Sequence, residues 1–201
     1  MEYDTPFDQR RVRGFSLLEM LVVVTIVAIM AAVALPAIAT YIRTYKIKAA
    51  AQAVAGEAQA ARSKAIMTNT NLGVSFVTVD ADSYRWIQED LAAGEQLGPL
   101  MDLPVGIRFV ASATPGAGPA VRFQRLGGFC VPNVAPCAAP PAVLCTGAEA
   151  ARCAREPAGL FVGTEVGGGT IITLLEENTA LRKSIRIAPG GRVMAQEGWT
   201  P

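Results

Sequence analysis

Residues 20–42 carry no charged side chain, and no other stretch constrains this chain as much. At about 1.5 Å of rise per residue such a run makes a helix of roughly 34 Å, enough to cross the hydrocarbon core of a bilayer. Glu19 stands at the front edge of the run, and Arg10, Arg11 and Arg13 precede Gly14. An acid at the centre of a bilayer is disfavoured by about 2.5 kcal/mol or more, so one retained beside a membrane run points to a function. The plain alternative is stabilisation by the helix N-terminal dipole. An ordinary anchor or a conventional secretory signal also has an apolar run, and Ala32-Val33-Ala34 has the form of a signal-peptidase site. A conventional apolar region is only about 7–15 residues long, however. Helix-compatible sequence here continues far past Ala34.

The combination of the three arginines, Gly14-Phe15-Ser16-Leu17-Leu18-Glu19-Met20 and the apolar run resembles the class III signal of type IV prepilins and type II secretion pseudopilins. The resemblance implies that a prepilin peptidase cuts between Gly14 and Phe15 on the cytoplasmic side and methylates the new amine of Phe15. It also implies a role for Glu19 in filament assembly. Residues 1–14 are then a leader peptide, which the arginines hold in the cytoplasm by the positive-inside rule. The remainder of the chain faces the periplasm.

Composition narrows the chemistry open to that remainder. Beyond Ile66 there are ten Lys/Arg against twelve Asp/Glu, so this part is slightly acidic. A nonspecific grip on nucleic acid needs clustered positive charge, and nucleic acid is not an expected partner. The chain has no histidine. That excludes His-based acid–base catalysis, Ser-His triads and His-ligated metals. We expect no enzyme activity, no cofactor and no metal. All four cysteines lie in the soluble part, which suits an oxidising compartment.

Residues 15–66 are expected to form one long helix, with a membrane span over about 20–42 and an amphipathic half over about 43–66. Pro36 lacks an N–H and is expected to kink or loosen it. Ile47, Ala51, Val54, Ala58, Ala61 and Ala65 recur at helical spacing, with Lys46, Lys48, Gln52, Gln59 and Lys64 largely elsewhere. This pattern fits a helix that leaves the membrane and backs a globular domain. The helix end Ala61-Arg62-Ser63-Lys64-Ala65-Ile66, leading into a strand near Gly73, resembles the GspH/FimT group of minor pseudopilins and minor pilins. Taken alone, Arg62 and Lys64 are expected only to solvate the helix face.

Residues 67–201 are expected to be β-rich. Leu72, Val74 and Phe76 alternate with Gly73, Ser75 and Val77, and a return strand over 84–88 makes a hairpin. A loop holding Gly94, Gly98 and Pro99 follows. Further strands are expected over 105–111, 120–126, 169–175, 184–188 and 192–195. Residues 128–157, rich in Ala, Pro and Cys, stand apart as an insertion. Cys130, Cys137, Cys145 and Cys153 include no C-x-x-C pair, so zinc-ribbon spacing is missing and a disulfide-stapled loop is favoured. Three pairings are open. The short loops Cys130–Cys137 and Cys145–Cys153 close most easily. Asp80 and Asp82 suit a solvated turn better than a calcium site.

The fold expected is α+β and pilin-like: a long N-terminal helix packed on a C-terminal antiparallel β-sheet domain. The family resemblance implies a minor pseudopilin of a type II secretion system. Its partners would be other pseudopilins or pilins, the prepilin peptidase and the inner-membrane assembly platform. It would be a single-pass inner-membrane protein that assembles in a periplasmic pseudopilus. The alternative is a FimT-like minor pilin of a type IV pilus, serving pilus assembly or DNA uptake. Gly191-Arg192-Val193-Met194 lacks the second arginine of the DNA-binding tail known in that subgroup. A secreted enzyme behind a cleaved signal is the third reading, and the lack of histidine and of a nucleophile motif speaks against it.

Mass spectrometry of the mature N-terminal peptide is expected to find N-methylated Phe15. A chain beginning at Leu35 would identify a conventional signal instead.

Overall fold

A single helix, α1, runs over Leu17–Thr68. The computed structural model describes residues 14–70, 73–90, 94–110, 120–130, 163–164 and 169–196. The chain divides into two units, Met1–Ile42 and Arg43–Pro201. The helix stops where Asn69 takes a left-handed conformation with φ of 48°. This is a common way for a helix to end, because asparagine tolerates that region better than most residues.

In the second unit α1 buries one stripe. Ile47, Ala51, Val54, Ala58, Ala61 and Ala65 are all buried, and Ala50 and Ala55 join them. A stripe made almost wholly of alanine has little side-chain bulk, so the helix axis can lie close to whatever it packs on.

Two antiparallel sheets supply the other side of the core. The first holds β1 (Val74–Thr78), β2 (Ser83–Asp90), β3 (Gly94–Leu97), β4 (Met101–Asp102), β6 (Ala120–Phe123) and β7 (Phe129–Cys130). Its order is β3-β2-β1-β6-β7, with β4 also on β2. The second holds β5 (Ile107–Phe109), β8 (Gly163–Thr164), β9 (Thr170–Glu176), β10 (Arg182–Ile187) and β11 (Val193–Gln196). Its order is β11-β10-β9-β5, with β8 also on β9. The fold is therefore α+β, with one long N-terminal helix and an antiparallel C-terminal domain.

One continuous core joins all three layers. It contains the alanine stripe, Val74, Phe76 and Phe123 of the first sheet, and Phe109, Ile172, Leu174, Ile185 and Ile187 of the second. Tyr84 links the sheets. Its ring lies 5.4 Å from that of Phe76 and 6.0 Å, edge-on, from that of Phe109. Burial, with the carboxylate of Glu57 nearby, pushes the Tyr84 phenol up to about 12.

The structure differs from the sequence expectation in several places, each for a physical reason. Alternation predicts that β1 shows one face to solvent, but all five of its residues are buried. β1 lies between β2 and β6, and the face turned away from α1 has its own small cluster of Val77, Ile87 and Leu97. The glycine-rich loop after β2 contains a strand, β3, whose side chains are largely exposed and so carry no apolar signature. The strand expected over 105–111 shrinks to Ile107–Phe109, because Gly106 sits at φ of 85° and Val105 projects into solvent. The insertion expected over 128–157 lies outside the described residues beyond Cys130. Phe129 and Cys130 pair with β6, and the Phe129 ring is buried in the core.

The far face of β1 also holds a buried ion pair. Arg122 Nη2 lies 2.6 Å from Glu89 Oε2, with the two side chains 6% and 9% exposed. Ser75 Oγ donates to the other carboxylate oxygen at 3.1 Å, so the group ties β6, β1 and β2 together. Burial pushes the Glu89 carboxyl up, while Arg122 and Ser75 pull it back. Glu89→Ala would strand the guanidinium, and chemical denaturation is expected to show a loss of about 3–5 kcal/mol. Adding Arg122→Met should recover much of it, because an apolar pair avoids the stranded charge.

Glu176 holds the β9–β10 turn. Its carboxylate accepts from Thr179 Oγ1, from the Thr179 N–H at 2.6 Å and from Asn178 Nδ2 at 3.2 Å. The Thr179 hydroxyl, followed by the Asn178 and Thr179 N–H donors, holds the carboxyl below its ordinary value of 4.5. A lowered folded-state value stabilises the turn above the unfolded value, and that stability is lost as pH falls through the folded one. NMR titration of the Thr179 amide is expected to show a midpoint below 4.5. Glu176→Gln should abolish the titration.

Candidate functional site

The first unit carries the candidate site. Gly14, Phe15 and Ser16 precede the helix, and the Met20 N–H donates to the Ser16 carbonyl at 3.2 Å. That bond makes Ser16 the N-cap residue and places Glu19 in the first turn, at the third helical position. Ser16-Leu17-Leu18-Glu19 thus has the Ser-x-x-Glu spacing of a capping box. The sequence held this signal, and attention to the cleavage junction alone misses it. Glu19 stands in the first turn, near the positive end of the helix dipole.

Every residue over 14–42 is exposed. Phe15 is 76% exposed and Leu18 73%. No side chain over 20–42 is charged, so the helix is apolar on all sides, and such a helix belongs in a membrane or among other apolar helices. It is long and apolar enough to cross a membrane. Its few polar side chains fit that setting. Thr25 Oγ1 donates to the Val22 carbonyl at 2.7 Å, and Thr40 Oγ1 to the Pro36 carbonyl at 3.1 Å. Both hydroxyls are satisfied within the helix and need no water. The helix continues through Pro36 without a break.

The remaining candidate residues lie elsewhere. Cys130 ends β7, and Cys137, Cys145 and Cys153 lie outside the described residues, as does the proposed pairing among them. Among the described residues, no group of three or more Cys, Asp or Glu is placed to hold a metal ion. Asp80 closes a turn instead: its Oδ1 accepts from the Asp82 N–H and from Ser83 Oγ, both at 2.8 Å.

A family model for the prokaryotic N-terminal methylation motif matches residues 9–35. The N-terminus of this chain is type IV prepilin-like. The match spans the three arginines, Gly14, Phe15, Glu19 and the first part of the apolar helix. No curated protein matches the chain. Among solved structures, it is similar to the minor pseudopilin EpsH from the type 2 secretion system of Vibrio cholerae. That similarity is at 10% sequence identity and a TM-score of 0.46, covering 75% of this chain and 96% of that chain.

Proposed function

We propose that this chain is a minor pseudopilin of a type II secretion system. It enters the inner membrane with its N-terminus in the cytoplasm, is cut after Gly14 by the prepilin peptidase and is methylated on Phe15. It then joins other pseudopilins at the assembly platform, its helix in the filament core and its β domain outside, in the periplasm. The observation that carries this reading is the Gly14–Phe15 junction and Glu19 at the head of a wholly exposed apolar helix. The slightly acidic soluble part favours secretion over the DNA-binding minor pilins.

Glu19 gives the assembly step its chemistry. After cleavage the Phe15 amine is positive, and it lies four residues before Glu19. In an apolar filament core an unpaired carboxylate is costly, and pairing it with a cationic amine offsets that cost. The partner is its own Phe15 amine or that of a neighbouring subunit. With a neighbour's amine, Glu19 sets register, since a subunit at the wrong height leaves both charges unpaired.

Glu19→Ala is expected to insert and be cleaved normally but to co-purify poorly with the other pseudopilins and to support secretion weakly. Glu19→Asp should be intermediate. Wild-type incorporation of the alanine variant would leave Glu19 as a helix-start residue only. A gel-shift complex of the full chain with DNA at physiological salt, lost in Arg192→Ala, would point to the minor pilin instead.

A further inference from the structure

Within Arg43–Pro201, the end of α1 meets a turn from each sheet. The β6–β7 turn is closed by the Gln124 N–H donating to the Gly128 carbonyl at 2.8 Å and the Gly127 N–H to the Gln124 carbonyl at 2.7 Å. In the β10–β11 turn the Ala188 N–H donates to the Arg192 carbonyl at 2.9 Å and the Gly191 N–H to the Ala188 carbonyl at 2.8 Å. Arg62 reaches both turns. Its Nε donates to the Gly127 carbonyl at 2.8 Å and its Nη2 to the Gly190 carbonyl at 3.3 Å.

Two glycines make room for the guanidinium. Gly127 has φ of +80°, and a Cβ there would stand 2.9 Å from Ile66 Cδ1 and 3.2 Å from Arg62 Nη2. Gly191 has φ of +76°, and its Cβ would stand 1.9 Å from the Gly127 carbonyl oxygen and 2.8 Å from Arg62 Nε. Backbone conformation and close approach therefore demand glycine at both positions.

We infer that Arg62 is a positioning residue that fixes a turn of each sheet to α1, so that both sheets keep their place on the helix. The neighbouring polar ties each hold one sheet. Gln59 Nε2 donates to the Val193 carbonyl of the second at 3.1 Å, and Lys64 Nζ lies 3.8 Å from the Trp86 ring centroid of the first. Arginine suits the shared position because its planar fork directs two donors at fixed angles, whereas a lysine ammonium is a compact charge on a flexible stem. The tie also accounts for Gly191 without a nucleic-acid partner, and it does not depend on what the chain assembles with.

Amide hydrogen exchange on the full chain in detergent tests the tie. In Arg62→Ala, the Gly127 and Gly191 amides should exchange about ten- to a hundredfold faster, the range expected for lost bonds to a charged donor. The Ile172 and Ile185 amides should be unchanged. Arg62→Lys keeps the charge and the aliphatic stem, and should restore protection at no more than one of the two turns. Gly191→Ala keeps the arginine and should reproduce the local pattern. Unchanged exchange at both turns, full recovery by lysine, or equal acceleration of every amide would each overturn the inference.

Discussion

An apolar helix with no apolar partner among the described residues sets the main constraint on the first unit of this structure. Over residues 14–42 every side chain is exposed, although almost all are apolar. Water penalises such a surface in proportion to its area, so it requires a cover that the described residues of this unit do not supply. A bilayer and a bundle of like helices satisfy the same demand. The satisfied hydroxyls of Thr25 and Thr40 suit either medium, since neither leaves a donor that needs water. Passing from one to the other would lose little apolar burial, since both are apolar.

The second half of the same helix solves a different problem. Its buried stripe is mostly alanine, which gives little transfer free energy per residue. The stabilising bulk comes instead from the sheets, with Phe76, Phe109, Phe123, Ile172, Ile185 and Ile187 in one core with the stripe. Small residues on the helix and large ones on the strands make a close-packed joint. Arg62, Gln59 and Lys64 border that joint with polar ties to backbone and ring.

The buried pair of Arg122 and Glu89 sets a different kind of constraint. Two charges on the far face of β1 contribute little net stability, because desolvation opposes their attraction. They do penalise a slipped register. A one-residue shift of β6 against β1 would turn Arg122 toward the apolar core and leave Glu89 without it. In a sheet with short strands such as Ala120–Phe123, that penalty adds specificity to weak pairing.

The sequence by itself determined what depends on local order and composition. Absence of charge over 20–42 made the apolar helix, the spacing of Ile47, Ala51, Val54, Ala58, Ala61 and Ala65 marked its packing face, and Ser16 and Glu19 marked its start. These signals have a short period and need no distant partner. Tertiary structure alone decided that the strands divide into two sheets, that β1 is buried on both faces, and that Phe129 belongs to the core. It also turned Arg62 from a solvating cation into a tie between Gly127 and Gly190, 65 and 128 residues away in sequence. No periodicity encodes such contacts, because they arise only when chain folding brings the two turns to the end of the helix.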